Sequence, residues 1–312
     1  MTESHLEHVS VLLDETVTAL NIKPNGLYID GTFGRGGHTR AILSALSLEG
    51  KVLGLDKDPE AIKSGQQLAA QDERFTIEQC SFATLEETVN ARLWQGKVDG
   101  ILLDIGVSSP QLDIADRGFS FQKDGPLDMR MNPDEGISAA EWLAHADMDE
   151  IATVLKTLGE ERFGKRIARA IVETREQSPI TTTKQLADLV DKASPFREKN
   201  KHPATRTFQA IRIHINNELD DLSVVLQQAI DVLAVGGRLA VISFHSLEDR
   251  IVKRFFRDQA KGDDLPANFP IRAAELNPSI KLIGKAIKAG DAELTRNPRA
   301  RSAVLRIVEK VA

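Results

Sequence analysis

The residues from Asp30 to His38 (DGTFGRGGH) combine a carboxylate with four glycines in a short stretch. Small residues let a ligand approach the backbone closely. The third glycine of the dinucleotide fingerprint G-x-G-x-x-G would fall at Thr39, which disfavours an NAD enzyme without excluding it. The spacing D-x-x-x-G-x-G instead fits a turn that binds S-adenosylmethionine. In such a turn Asp30 can meet the ligand's ammonium, while Gly34 and Gly36 leave room for its methionine part.

A second carboxylate, Asp56, ends an apolar run about 20 residues beyond the glycine turn, where Rossmann-like sites bind both ribose hydroxyls. The structural alternative is a cap for the helix that begins at Pro59, a role that Asp58 fills better. Phe82 follows the third apolar run and is placed to pack near the adenine, although a core position explains it almost equally well.

The loop from Asp104 to Gln111 (DIGVSSPQ) follows a fourth apolar run and is the candidate reaction centre. Ligands of open α/β sheets bind outside the carboxyl ends of the strands. An exocyclic amine on a nucleobase has its lone pair delocalised into the ring, so acceptors must bind its hydrogens. Asp104 and Ser108 can supply them, and in-line methyl transfer then depends mainly on alignment. A strand-terminal aspartate followed by a serine turn is the structural alternative.

The single cysteine, Cys80, excludes an internal disulfide and a cysteine-cluster zinc site, and we predict no metal site. Methylation at carbon 5 of a pyrimidine needs a cysteine nucleophile. Cys80 lies in no Pro-Cys loop, and nothing in the sequence positions a base beside it. Methylation of a nitrogen is therefore favoured.

The elements that must position these residues alternate between strand and helix. Strands are predicted at 27–30, 52–56, 75–78, 98–105 and 237–244, with a closing hairpin from 280–287 and 303–311. Helical periodicity interrupts the alternation at 138–145, 148–158, 160–176, 183–193 and 204–216, and a helix at 218–234 precedes the fifth strand. We therefore predict an α/β fold: a Rossmann-like class I methyltransferase sheet from 1–111 and 218–312, with an inserted helical substrate-recognition domain at 112–217.

Composition and charge indicate a cytoplasmic protein without a membrane span. The first twenty residues lack a secretory signal, and no stretch is long and apolar enough to cross a bilayer. The net charge of -6 argues weakly against unselective nucleic-acid coating. Basic residues nevertheless cluster locally, and solvated helix faces are the plain alternative to RNA contacts. They are Arg162, Lys165, Arg166, Arg169 and Arg175, then Arg197, Lys199, Lys201, Arg206 and Arg212.

Motifs along essentially the whole chain resemble, in order, those of the bacterial 16S ribosomal RNA cytidine N4-methyltransferase family. They are GTFGRGGHT at 31–39, DGILLDIGVSSPQLD at 99–113, RGFSF at 117–121, GPLDMRM at 125–131, GEERF at 159–163, HPATRTFQAIRI at 202–213, GGRLAVISFHSLEDRIVKRFF at 236–256 and NPRARSAVLRI at 297–307. The resemblance implies methylation of cytidine 1402 at the decoding centre of the small subunit. It also implies cofactor contacts by Gly36, Gly37, His38, Asp56, Phe82, Asp104 and Gln111.

Further substrate contacts are hypotheses with structural alternatives. Phe119 and Phe121 are candidates for stacking a flipped base, although paired aromatics at this spacing are more often core. Arg130 suits a phosphate or an ion pair. His245 either lines the ligand-binding crevice or has a structural role. Thr205, Arg206 and Arg212 belong to a basic segment that suits RNA phosphates.

Two other functions compete with the family reaction. A DNA amino-methyltransferase is the alternative within enzymes, and a non-catalytic RNA-binding assembly factor is the alternative outside them. Asp30, Asp56 and Asp104 are intact, and a lapsed site has no chemical need of them. The predicted partner is 16S rRNA in the small ribosomal subunit, and the sequence leaves a homodimer open.

Overall fold

The computed structural model describes residues 10–197, 202–262 and 277–312. The chain divides into two compact units, one from 1–106 and 220–312 and the other from 107–219. These boundaries lie a few residues from the predicted ones, and the shift assigns Ser108 and Gln111 to the second unit. None of the described helices has the length and apolarity needed to cross a membrane.

The first unit is built on a seven-stranded sheet with the order β3-β2-β1-β4-β5-β7-β6. Its strands are β1 Leu27–Asp30, β2 Lys51–Asp56, β3 Phe75–Gln79, β4 Val98–Asp104, β5 Leu233–Ser243, β6 Ile280–Leu282 and β7 Val304–Lys310. The first five strands pair in parallel, whereas β7 runs antiparallel to both β5 and β6. This is the predicted Rossmann-like class I methyltransferase sheet, and the closing hairpin is present with a shorter β6.

Helices cover both faces of this sheet. They are α1 Leu13–Leu20, α2 Gly37–Ala45, α3 Pro59–Ala69, α4 Leu85–Ala91, α11 Glu218–Val232, α12 Ser246–Lys261 and α13 Asp291–Arg296. Because side chains alternate along a strand, Leu103 packs in one apolar cluster with α11 and α12, while Leu102 packs in another with α1 and α2. Because β1, β2 and β4 run in parallel, their carboxyl ends lie at the same edge of the sheet, and this sheet is buried on both faces.

The fifth strand starts earlier than the sequence predicts. Leu233 already pairs with Val98, and the register then shifts before Arg238 pairs with Gly100. The glycines at 236 and 237 therefore belong to an irregularity inside β5, where Gly236 has a φ of +79°. The sequence prediction treats these glycines as a turn before the strand. It is therefore wrong at this point, because it starts β5 too late and makes α11 too long.

The second unit is helical. It contains α5 Ser109–Asp113, α6 Ala139–His145, α7 Met148–Leu158, α8 Gly164–Arg175, α9 Thr183–Ala193 and α10 Ala204–Asn216. One apolar cluster joins α6 to α10 and includes Trp142, Leu155, Ile171 and Phe208. Capping boxes start α6 and α9, as their sequences S-x-x-E and T-x-x-Q encode.

Candidate active site

The glycine turn follows the end of β1, and the side chain of Asp30 holds it in place. The Asp30 carboxylate is 1% exposed and accepts from the Thr39 hydroxyl at 2.7 Å and from the Thr32 N–H at 3.2 Å. Burial raises its pKa to about 6 against these two hydrogen bonds. The expectation that Asp30 meets a ligand ammonium is not supported, because the carboxylate lies inside the protein and fastens the turn to α2.

Asp56, at the end of β2, is half-buried and touches the turn from the neighbouring strand. Its Oδ2 accepts from the Gly34 N–H at 2.8 Å, and its Oδ1 accepts from the Asp58 N–H at 2.9 Å. Burial raises the pKa of Asp56 to about 6. Asp58 caps α3 by accepting from the Glu60 N–H at 3.0 Å. The cap and the candidate ribose acceptor are thus different residues, and each Asp56 oxygen keeps a lone pair for a ligand.

Two glycines of the turn have left-handed backbone conformations, with φ of +56° at Gly34 and +73° at Gly36. A Cβ at Gly36 would lie 2.6 Å from the Phe33 ring, and one at Gly37 would lie 2.1 Å from the Ser10 hydroxyl. Phe33 cannot easily give way, because it is buried and stacks on Phe75 with ring centroids 5.3 Å apart. The turn therefore requires glycine at Gly36, where a left-handed backbone and the buried Phe33 ring coincide.

Asp104 ends β4 beside the same turn. Its backbone N–H donates to the Thr32 hydroxyl at 2.6 Å, a link that the sequence analysis missed. The Asp104 side chain is 24% exposed, yet its Oδ1 is buried and has no hydrogen-bond partner among the described residues. Burial, with the nearby charges of Asp30 and Glu248, raises its pKa well above the ordinary value. An unsatisfied buried acceptor at the carboxyl edge of the sheet is a place for a ligand's donor.

His38 lies in the first turn of α2 and is 5% exposed. Its Nε2 lies 3.1 Å from the Val11 carbonyl oxygen, and its Nδ1 lies 3.8 Å from Asp104 Oδ2. Burial lowers the pKa of His38 to about 4, so the ring is neutral near pH 7. When Nε2 donates to Val11, Nδ1 presents its lone pair towards Asp104.

Phe82 begins a short 3-10 helix after β3 and packs at the margin of the core that includes α11. A Cβ placed on Gly31 would lie 3.6 Å from the Phe82 Cβ. The half-buried Phe82 therefore begins its side chain close to Gly31 of the glycine turn. This placement is compatible with both the adenine contact and the core position.

Beyond β5, His245 caps α12 and Glu248 completes the capping box. His245 is 12% exposed at its side chain, with Nδ1 accepting from the Glu248 N–H at 3.4 Å. The observed contacts of His245 thus agree with the structural alternative, in which this histidine supports the fold. Glu248, which the sequence analysis missed, is fully buried; its H-x-x-E spacing to His245 was the available signal. Across the described ranges, no group of three or more His, Cys, Asp or Glu residues could hold a metal ion.

In the second unit, Ser108 and Gln111 define the start of α5. The Ser108 N–H donates to Gln111 Oε1 at 2.8 Å, and Gln111 is 4% exposed. The Gln111 side chain therefore supports the loop after Asp104. Its implied cofactor contact and the role of Ser108 as an acceptor stay predictions.

Three predicted substrate contacts of this unit have other environments in the structure. Phe119 is 5% exposed, so its ring has no free face on which to stack a base. Arg130 makes a two-pronged ion pair with Asp128 at 2.7 and 2.9 Å. This ion pair is the structural alternative to a phosphate contact. Arg212 makes an equivalent pair with Glu218, both bonds being 2.8 Å. Its side chain is 14% exposed, which suits holding helices together better than binding RNA phosphates.

A cavity of about 230 Å³ in the second unit combines basic and aromatic residues. Arg162, Phe163, Phe196 and Arg206 line it, and Phe196 is 65% exposed. Arg206 also donates to the Glu160 carbonyl at 3.4 Å.

The rest of the two basic clusters divides between solvent and structure. Lys165, Arg166 and Arg169 are exposed on α8, whereas Arg175 donates to the Leu143 and Ala146 carbonyls. Thr205 is half-buried near the start of α10. Lys199 and Lys201 lie outside the described residues.

Comparison with known proteins places this geometry in a family. The model of the MraW methylase family matches residues 5–311. The chain is 57% identical over 306 residues to a ribosomal RNA small subunit methyltransferase H from Thioalkalivibrio sulfidiphilus, covering 98% of each. It is also 57% identical to the protein of that name from Pseudoalteromonas atlantica, covering 97% of this chain and 98% of the relative.

Among solved structures, an rRNA methylase from Streptococcus thermophilus aligns with a TM-score of 0.41 at 12% identity, covering 96% of this chain and 93% of that one. The family match, which spans both units, agrees with the motifs recognised in the sequence. The chain therefore belongs to the MraW methylase family.

Proposed function

We propose that this protein transfers a methyl group from S-adenosylmethionine to N4 of cytidine 1402 in the 16S rRNA of the small ribosomal subunit, in the cytoplasm. The observation that carries the proposal is 57% identity, over nearly the whole chain, to relatives named ribosomal RNA small subunit methyltransferase H. Identity at this level across both units supports a shared rRNA substrate. The nucleotide is what the resemblance of the motifs implies, and the N4 position rests on that resemblance and on the chemistry that favours methylation of an amine.

The first unit has residues that fit the cofactor. The left-handed Gly36, which leaves room for the Phe33 ring, shapes the turn that would hold the ligand, and Asp56 offers lone pairs at the end of the neighbouring strand. Asp104 adds a buried oxygen without a hydrogen-bond partner among the described residues. When bound, S-adenosylmethionine supplies an electrophilic methyl group on a positively charged sulfur, and these carboxylates favour that charge.

The chain's own contribution to transfer is positioning and proton handling. Asp104 accepts a hydrogen bond from the N4 amine and so directs the nitrogen lone pair towards the methyl carbon. The nitrogen–carbon bond forms as the carbon–sulfur bond breaks, and the sulfur keeps the electron pair. Asp104 takes the proton that the amine loses. Its raised pKa makes it a stronger base than an ordinary aspartate.

The second unit binds the RNA in this proposal. Its cavity places Arg162 and Arg206 beside Phe163 and Phe196, a combination that suits phosphates and unstacked bases of single-stranded RNA. The exposed basic side chains of α8 extend the positive surface. A local positive field of this kind is needed in a chain whose net charge is -6.

Labelled-methyl transfer tests the proposal. Small subunits and free 16S rRNA from cells lacking the enzyme are incubated with the protein and methyl-labelled S-adenosylmethionine, and the product is digested for mass spectrometry. We expect N4-methylcytidine at one position. Label in another nucleoside, or none in either substrate, would contradict the proposed reaction.

Asp104→Ala should abolish or strongly reduce transfer even at saturating RNA. The matched control is Asp99→Asn at the other end of β4, where Asp99 accepts from Lys23 and the Leu27 N–H. A near-normal single-turnover rate for Asp104→Ala would place Asp104 outside the reaction centre.

A further inference from the structure

Glu248 is a fully buried carboxylate close to the reaction centre. Its Oε2 accepts from the Phe244 N–H at 2.7 Å and from the His245 N–H at 3.1 Å. Its Oε1 lies 2.9 Å from His245 Nε2, although the alignment is not that of a hydrogen bond. A solvated glutamate would serve equally well as the third residue of a capping box, so capping alone does not require the burial.

The sheet register brings the turn after β5, which Glu248 holds, next to the end of β4, and Asp104 feels the charge of Glu248. Asp104 pairs with Ile242 of β5, and the Ile105 N–H donates to the Ile242 carbonyl at 2.9 Å. The turn that Glu248 holds begins at Phe244, two residues after Ile242. On the other side, β1 ends at the buried Asp30. Asp104 therefore has a buried carboxylate on each side: Asp30 at the end of β1, and Glu248 in the first turn of the helix that follows β5.

We propose that Glu248 is a positioning residue for methyl transfer: its buried carboxylate holds the turn after β5 and acts through its negative charge on Asp104 at the end of β4. This inference rests on the proposed function, in which Asp104 takes the proton from the target amine. A base that binds its proton more tightly withdraws it more readily from the amine.

The charges around Asp104 agree with this role. Asp30 faces it from β1, His38 from α2 and Glu248 from α12. The pKa of His38 is about 4, so this ring adds no positive charge near neutral pH. Burial, and after it the like charges of Asp30 and Glu248, raise the pKa of Asp104. His245 contacts Glu248 itself.

Two matched variants isolate the charge. Glu248→Gln keeps the shape and one oxygen for the N–H groups of Phe244 and His245 but removes the negative charge. Asp249→Asn removes an equal charge at the next position, where Asp249 pairs with Arg306 at 2.7 Å. Thermal melting of both variants reports the structural contribution of each side chain.

The first measurement follows the Asp104 proton directly. The protein is labelled with carboxyl-¹³C aspartate, and the Asp104 resonance is the one missing from Asp104→Asn. We expect its titration midpoint to fall by about one pH unit in Glu248→Gln and to stay unchanged in Asp249→Asn. An unmoved midpoint in Glu248→Gln would overturn the proposal. So would a wild-type midpoint near the ordinary value of about 4, a result that needs no variant to fold.

The second measurement is the pH profile of single-turnover methyl transfer to small subunits. The acidic limb should move to lower pH in Glu248→Gln by the same amount as the resonance midpoint. If Glu248→Gln is slower at every pH but its acidic limb stays at the same pH, Glu248 acts only as a helix cap and the proposal is wrong. A normal rate in Asp104→Asn would instead overturn the proposed role of Asp104, while the resonance midpoints still decide whether Glu248 controls its proton.

Discussion

Asp56 is the single residue at which ligand binding and turn structure are most directly connected. Its carboxylate accepts from the Gly34 N–H and the Asp58 N–H, so it shapes the glycine turn before any ligand arrives. The half-buried position leaves it accessible for further hydrogen bonds. The same side chain therefore organises the turn and offers acceptors for ribose hydroxyls.

Replacing Asp56 with alanine should weaken cofactor binding by about 1–3 kcal/mol, because a carboxylate that faces the ligand is lost without opening the core. Isothermal titration calorimetry measures the affinity. Asp58→Ala is the control: it removes the cap of α3 and should lower stability by about 1 kcal/mol with little change in affinity. Equal affinities for wild type and Asp56→Ala would remove Asp56 from the cofactor site.

Cofactor affinity should also fall as the pH is lowered through about 6, the pKa of Asp56. A protonated carboxyl is a weaker acceptor for ribose hydroxyls than a carboxylate. Calorimetry across this pH range measures the effect, and Asp56→Asn should flatten the profile. An unchanged affinity below pH 6 would contradict the assignment.

The contribution of Asp30 and Asp56 to the stability of the unliganded protein should change in the opposite sense. The folded-state pKa values of Asp30 and Asp56 are raised to about 6, so the native state binds these protons more tightly than the unfolded chain. Their contribution to the free energy of unfolding is therefore larger at pH 4 than at pH 7. As the pH is lowered, cofactor affinity should therefore fall while this contribution to the free energy of unfolding rises. A loss of binding can thus be distinguished from unfolding.

At the scale of elements, the strand-to-helix turn at 31–37 depends on close packing as well as on backbone freedom. Gly36 and Gly96 both have left-handed φ values, +73° and +68°. A Cβ would meet the buried Phe33 ring at Gly36 but would meet nothing within 4 Å at Gly96. The two positions therefore separate the cost of a left-handed backbone from the cost of a collision.

We expect Gly36→Ala to lower cofactor affinity at least about tenfold, equivalent to 1.4 kcal/mol, and Gly96→Ala to leave it unchanged. Both variants should lose about 1–2 kcal/mol of stability from the left-handed conformation. Thermal melting and calorimetry on the pair measure the two effects. Equal affinities in both variants would show that the Phe33 contact does not shape the binding turn.

At the scale of the whole molecule, the acidic chain must concentrate positive charge where RNA binds. Arg206 lines the cavity of the second unit, whereas Arg212 is committed to Glu218. Two basic residues of one helix thus have different environments. Their substitution separates electrostatic binding from structural support.

Arg206→Gln should reduce the slope of log affinity against log salt by roughly one, because one phosphate contact is lost. Arg212→Gln should leave this slope unchanged and lower stability by about 3 kcal/mol, because the buried Glu218 loses its two-pronged partner. RNA binding across a salt series, with cofactor titration and melting, measures both. A lower melting temperature with an unaltered slope for Arg206→Gln would mean that Arg206 only supports the helices.

Much of the architecture follows from local sequence. Runs of apolar residues buried on both faces identify β1, β2 and β4, and helical periodicity identifies the inserted block, because each element must bury its own apolar surface. Parallel strands place their carboxyl ends at one edge. The positions of Asp56 and Asp104 at that edge were therefore predictable from the order of strands and turns alone.

Tertiary structure decided how each polar group is used. Asp30 faces Thr39 inside the protein, Arg212 faces Glu218, and Phe119 is buried, although their sequence contexts allowed ligand contacts. Burial and pairing depend on neighbours brought close by folding, and residue type does not reveal which neighbour will be there. The closeness of Glu248 to Asp104 is of the same kind: it arises because β5, after an insertion of more than a hundred residues, pairs with β4.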